Sequence, residues 1–257
     1  MTVIVVPYHQ DERLSDGAIP LPLTGDVRVL APELPEGDIW PRLATLDDAA
    51  ADQIAAAVGD GGTTAVVSGD CLVAMAALAG AQRAGVDPGI VWFDAHGDVH
   101  TLDTTTSHYL GGLALRLILG AHPELLARPL GLQPVAEDRT LLVGARDLDP
   151  AETEYLQTSA VRRREVADLA VASLPGGPLI VHVDLDVTDP GELPGLLFPA
   201  PGGPPASQVV AAVHRILATG RVTVLDIACP WHPTSQDQVQ QARADLLHQL
   251  VGAVRRR

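Results

Sequence analysis

Short apolar runs recur along the chain, separated by longer stretches of helical spacing. Thr2 to Val6, Val27 to Ala31, Thr63 to Val67, Gly89 to Phe93, Thr140 to Val143, Leu179 to Val183 and Val222 to Ile227 read as strands. Between them, helices are predicted over Thr45 to Val58, Leu72 to Ala84, Leu110 to Leu119, Ala206 to Ala218 and Gln236 to Val254. The first of these is taken to begin at a capping signature, Thr45-Leu-Asp47-Asp48. A further helix opens at Pro150, whose fixed φ suits a first helical position, with Asp149 as its cap. Gln10 to Gly25 and Gly191 to Pro205, rich in Gly, Pro and polar residues, read as loops. No internal repeat or linker interrupts the alternation, so a single α/β domain over residues 1–257 is expected, built on one mostly parallel, doubly wound sheet.

In such a sheet, ligands collect outside the carboxyl ends of the strands. Chemistry-bearing residues fall there. The strand Gly89 to Phe93 runs into Asp94-Ala-His96-Gly-Asp98, and Leu179 to Val183 runs into Asp184-Leu-Asp186-Val-Thr-Asp189-Pro190. In extended chain, residues two apart share a side, so each segment is expected to project its acids together. Four carboxylates and one imidazole at one sheet edge repel without a counter-charge. An oxygen-rich, single-imidazole set suits hard divalent ions such as manganese more than zinc. Asp189, before Pro190, reads as a turn residue, and His182 as a hydrogen-bonding group behind the ligands.

Composition narrows the partners. Hydrophobic residues make up 47% of the chain but aromatics only 3%, so a large core must be filled by aliphatic side chains. The formal charge is −15, with no lysine, which argues against nucleic acid or an anionic membrane as partner. No stretch approaches the roughly 18 apolar residues of a membrane helix. Met1 to Gln10 lacks a basic segment and is broken by Pro7, so no secretory signal is expected. Two cysteines are too few for a disulfide framework. A cytoplasmic protein is the expectation, and Arg255 to Arg257 reads as a solvated tail.

Four segments, in order, carry a resemblance: Gly69-Asp70-Cys71, Asp94-Ala-His96-Gly-Asp98, Gly144-Ala-Arg146-Asp147-Leu-Asp149-Pro150-Ala-Glu152, and Asp184 to Pro190. Over almost its whole length the chain resembles the arginases and agmatinases of the ureohydrolase superfamily. The resemblance implies a three-layer α/β fold, a pair of divalent ions (manganese by preference) and hydrolysis of a guanidino group. It implies one ion held by Cys71, Asp94, Asp98 and Asp184. The other would be held by His96, Asp94, Asp184 and Asp186, with Asp98 also orienting the attacking water. His100 and Ser107 align with residues that grip an amino acid carboxylate. Asp149 and Glu152 align with those receiving its α-amino group, although both also suit a helix N-terminus.

Departures from the family pattern redirect the substrate. Cys71 stands where a histidine ligand is expected, and a thiolate favours zinc, iron or cobalt over manganese. Gly111 stands where arginases carry a proton-shuttling histidine, leaving His108 as the candidate substitute. Cys229 stands near the position of a glutamate that pairs with the guanidinium; Cys229 itself reads as packing, and His232 as a residue near the pocket. A buried guanidinium without its carboxylate is costly, so a less basic group is favoured. The cysteine ligand is similar to that of hydroxyarginine hydrolases in this superfamily. The expected reaction is therefore cleavage of the guanidino C–N bond of an arginine-like amino acid, with Nω-hydroxy-L-arginine first. Two alternatives stay open: hydrolysis of another C–N bond (formimino, amide or agmatine-like) in the same fold, and a metal-binding member without turnover.

Overall fold

The computed structural model describes residues 2–21 and 26–254; the Arg255–Arg257 tail lies outside them. One sheet of eight parallel strands runs through the molecule. In chain order its strands are β1 (Val3–Val6), β4 (Val27–Val29), β5 (Thr64–Ser68), β6 (Gly89–Phe93), β7 (Thr140–Val143), β8 (Arg162–Arg164), β9 (Leu179–Asp184) and β10 (Val222–Ala228). The remaining two, β2 (Tyr8–His9) and β3 (Glu12–Arg13), form a small antiparallel hairpin whose second strand lies inside the Gln10–Gly25 segment expected to be loop. Across the sheet the order is β4-β1-β5-β10-β9-β6-β7-β8. Two late strands, β9 and β10, thus sit between β5 and β6, and three acid-bearing strand tips become near neighbours.

Both faces of the sheet are covered, which is why its central strands are apolar on both sides. Ile4, Val6, Val66, Trp92 and Ile180 pack against α1 (Ile39–Gly59) and α2 (Ala74–Arg83), joined by α3 (Ala114–Ile118), α4 (Ala127–Leu130) and α5 (Pro150–Thr158). The alternate residues Val3, Val5, Val67, Val91 and Val181 pack against α6 (Ala206–Leu217) and α7 (Asp237–Val254). This is the expected three-layer α/β arrangement.

Helix α1 and strand β8 also depart from the sequence reading. Helix α1 begins at Ile39, not Thr45: Asp38 is its N-cap, and Pro41 is accommodated in the first turn, where its missing N–H has no partner to lose. Thr45 is an interior residue whose hydroxyl donates to the Pro41 carbonyl, and Asp47 points into the core with neither carboxylate oxygen paired. The edge strand β8 was not legible, since three consecutive arginines carry no strand signal. Charge along an exposed edge is, however, a common guard against edge-to-edge pairing. No helix among the described residues is long and apolar enough to cross a membrane.

Candidate metal and substrate site

Three strand tips turn by the same device. After β5, Asp70 Oδ1 accepts from the Leu72 N–H at 2.8 Å; after β6, Asp94 Oδ1 accepts from His96 N–H at 2.7 Å; at the end of β9, Asp184 Oδ1 accepts from Asp186 N–H at 2.8 Å. Aspartate readily supplies such a local turn through its short side chain. The acids therefore converge through tight turns just past the strands, not through strand alternation as the spacing predicts. Asp98 sits in left-handed backbone at φ 52, an uncommon conformation outside glycine. Its Oδ2 is buried and has no hydrogen-bond partner.

The result is a cavity of about 180 Å³. Cys71, His96, Asp98, Asp184 and Asp186 form its acidic side, and His100, Ser107, Asp149 and Glu152 line it as well. Asp94 lies just behind, buried, with His96 Nδ1 3.3 Å from its Oδ1 and 3.1 Å from Asp186 Oδ2. The Cys71 thiol donates to Asp184 Oδ2 at 2.8 Å. All six expected metal-binding residues are thus brought together.

With every acid ionised, the cluster would need a counter-charge. At an effective dielectric near 20, like unit charges 4 Å apart repel by about 4 kcal/mol. A few such pairs would rival the roughly 5–15 kcal/mol that stabilises a whole domain. Burial, followed by the Asp94 and Asp184 charges, pushes Asp98 well above the usual carboxylate range. Burial and the charges of Asp186 and Asp94 do the same to Asp184, and burial with Asp94 lifts Asp186 to about 6. Burial opposes charge on His96, but its bonds to Asp186 and Asp94 outweigh this and push it up to about 12. Burial likewise works against Asp94 ionising, yet the bond to His96 holds it at about 2. Arg146 makes no hydrogen bond to a carboxylate of the cluster. Its guanidinium donates to the backbone carbonyls of Gly144, Asp186, Val187, Ala200 and Pro201, tying the loop after β9 to the tip of β7.

Candidate ligand atoms of Asp94, His96 and Asp186 lie within 4.8 Å of one another, as do those of Cys71, Asp94 and His182. This donor set, with the unpaired Asp98 Oδ2 beside it, fits divalent ions. A cation would also reverse the upward pressure that burial, Asp184, Asp98 and Asp94 place on the Cys71 thiol.

Residues 10–252 match the Arginase family. The chain belongs to the arginase family of hydrolases. Among curated relatives it is 28% identical over 192 residues to an arginase of Eremothecium gossypii, covering 68% of this chain and 48% of that one. It therefore spans about half the length of that relative. It is 29% identical over 194 residues to the N(omega)-hydroxy-L-arginine amidinohydrolase of Streptomyces lavendulae, covering 74% and 68% of the two chains. Its fold superposes on arginase from Bacillus cereus with a TM-score of 0.82 at 22% identity, covering 100% of this chain and 98% of that one.

Other family positions behave differently. His100 is buried, with Nδ1 3.2 Å from Thr104 Oγ1 and Nε2 3.1 Å from Asp149 Oδ2. Glu152 is also buried and is spent on structure: it accepts from the Val99 and Asp149 N–H groups, the latter across the first turn of α5. Its Oε1 would stand only 2.7 Å from a Cβ on Gly97. Ser107 lies at the cavity rim and accepts from Tyr109 N–H. His108 corrects the sequence reading. It is exposed at φ 58 and does not line the cavity, because the chain here turns Tyr109 inward instead. A Cβ at Gly111 would come within 2.4–2.6 Å of the Tyr109 ring and hydroxyl, so Tyr109 fills the space beside that glycine. The Tyr109 hydroxyl donates to Asp70 Oδ2 at 2.8 Å.

Sequence reasoning also missed Phe198, which packs on Tyr109 with ring centroids 4.5 Å apart, and Asp147, at 4.0 Å from His96 Nε2. Asp147 stands inside a motif that had been noted; Phe198, in a Gly/Pro loop, carried no signal. Cys229 packs in the apolar layer with Trp231, as expected, and His232 is exposed and lines no part of the cavity. Asp189 makes the expected turn, accepting from Gly191 N–H.

Proposed function

We propose that this arginase-family protein is a binuclear amidinohydrolase that cleaves the guanidino C–N bond of an arginine-like amino acid, with Nω-hydroxy-L-arginine the preferred substrate. The observation that carries the reading is the junction, in one cavity, of an acidic wall bearing candidate metal-ligand atoms and a polar wall suited to an amino acid head group. Two divalent ions held by Cys71, Asp94, His96, Asp98, Asp184 and Asp186 would supply Lewis acidity and activated water at neutral pH. Asp98, with one carboxylate oxygen unpaired, would take up a proton during the hydrolysis and pass it to the leaving amine. His100 and Ser107 face the substrate carboxylate, and Asp149 the α-amino group, with Glu152 holding the turn that presents Asp149.

The preference for a hydroxyguanidine follows from what lines the other end. Cys229, where the family's guanidinium-binding glutamate is expected, packs in the apolar layer, while Phe198 and Tyr109 offer aromatic surface to the cavity and the largely exposed Asp147 lines it beside His96. Aromatic faces tolerate a cation but do not replace a buried ion pair. A less basic guanidino group loses less there. The test is a release assay for urea and hydroxyurea over a panel of guanidino compounds with the manganese-loaded protein. Hydroxyarginine should be turned over at higher kcat/KM than arginine, and agmatine, without a carboxylate, poorly. Equal turnover of arginine and hydroxyarginine would refute the substrate assignment.

A further inference from the structure

Beneath the cavity, on the face of the sheet covered by α1 and α2, lies a second imidazole that the expected ligand set does not use. His182 is fully buried in β9, in register with Trp92 on one side and Asp226 on the other. Its Nδ1 lies 2.7 Å from Asp226 Oδ2, and its ring stacks on Trp92 with centroids 3.7 Å apart. Trp92 Nε1–H in turn donates to Asp94 Oδ2 at 3.0 Å. The other ring nitrogen, Nε2, is buried and has no hydrogen-bond partner. A ring nitrogen of His182 lies within 4.8 Å of ligand atoms of both Cys71 and Asp94, and all three residues are buried.

A histidine held by a carboxylate through one nitrogen, with the other nitrogen free, is the usual arrangement of a metal-bound imidazole and its orienting partner. An imidazole nitrogen left unpaired in a dry interior is costly, and an ion beside the thiol would give it a partner. We propose that His182 Nε2 is a ligand of the ion on the Cys71 side, with Asp226 fixing the ring, so that this ion is held by sulfur, nitrogen and oxygen together. The proposal rests on the binuclear reading above and deepens it: the two ion positions differ in kind. Thiolate plus imidazole selects zinc, cobalt or iron over manganese, whereas the His96 side keeps carboxylates and one imidazole. The histidine ligand absent at position 71 is thereby replaced from β9, two strands across the sheet.

X-ray absorption on the full chain loaded with zinc or cobalt, read together with elemental analysis, tests this. The unaltered protein should show a sulfur shell and imidazole scattering from a ring on each ion. H182Q and H96Q should each lower the imidazole amplitude by about half, and C71S should remove the sulfur shell. Asp226→Asn, which leaves every ligand in place, should weaken the Cys71-side ion by about 10–100-fold, as loss of an orienting partner does. Unchanged imidazole amplitude in H182Q would overturn the proposal while leaving the binuclear reading intact. Should H182Q fail to fold, the unaltered protein decides alone: imidazole scattering of one ring shared over two ions excludes His182. Failure of the unaltered protein to take up any divalent ion would overturn the binuclear reading itself.

Discussion

On one side of the acidic cluster His96 is about a quarter exposed, faces the cavity, and bridges Asp94 and Asp186 with a single nitrogen. On the other side Cys71 is nearly inaccessible, bonded to Asp184, with His182, Trp92 and Asp226 packed behind it. The same carboxylates serve both sides, but the donors that complete them differ in softness and in contact with solvent. On the proposed reading, the open side is where a substrate would meet the ions, and the closed side is where the protein would select the ion it keeps. Position along the sheet explains the difference. The closed side lies at the tips of β5 and β9 with β10 between them, whereas the open side follows β6 under the loops that form the cavity mouth.

Replacing a shared carboxylate should erase the comparison altogether. Asp184→Asn is expected to lower affinity for both ions by more than about 100-fold, beyond the range typical of an orienting partner, with activity lost in parallel. Titration calorimetry with manganese and zinc would show it, and retention of one ion at full affinity would mean that Asp184 serves one side only.

Changes at the cavity mouth should act on substrate and spare both ions. His100→Ala and Asp149→Asn remove polar contacts to a charged head group, worth about 1.5–3 kcal/mol. KM should rise by roughly 10–100-fold with metal content unchanged. A fall in kcat at constant KM would place these residues nearer the chemistry than the geometry does.

A smaller effect is expected at Gly111, where the structure leaves no room for a side chain. Gly111→Ala drives a methyl into the Tyr109 ring, an overpacking that typically costs about 1–3 kcal/mol. For a chain of this size that corresponds to a Tm lower by roughly 2–12 °C. An unchanged Tm would show that Tyr109 moves aside freely, and that a larger side chain could enter there.

The smallest effect is a pH dependence that separates the metal-free from the loaded protein. Burial and neighbouring acids raise Asp98, Asp184 and Asp186 above their ordinary 3.8, Asp186 to about 6. The folded chain thus holds more protons than the unfolded one, and stability falls as pH rises from about 4 through 6. His96, pushed to about 12, contributes fully below its ordinary 6.5, and Asp94, held at about 2, contributes fully above its ordinary 3.8. Neither therefore changes over this interval. Chelator-treated protein should melt at progressively lower temperature between about pH 4 and 6.5, and added manganese should restore the loss only toward the upper end. A melting temperature flat across this range would contradict the picture of acids held neutral by burial.

Most of the fold was legible in the sequence because its central strands are apolar on both faces and its helices fill the intervals between them. The exceptions have physical causes. Pro41 disguises the start of α1 as a break, and the arginines of β8 form a strand only because β7 offers an edge to pair with. In the site, Cys71 and the acids of both segments were legible from spacing and family pattern. Tyr109, Phe198 and the His182–Asp226 pair were harder to assign, because each acts through neighbours distant in sequence: Asp70 for Tyr109, Tyr109 for Phe198, and strand register for His182. His108 was misassigned since sequence alone does not say which of two adjacent loop residues faces inward.

The central claim is that three turned strand tips hold a pair of cations between a thiol, an imidazole and four acids. Anomalous diffraction from crystals grown with manganese or zinc tests it most directly. Two peaks are expected, one against Cys71 and one against His96, with density from Asp94 and Asp184 reaching both. A cavity without anomalous signal in crystals saturated with either metal, with the acids in the same places, would contradict the account.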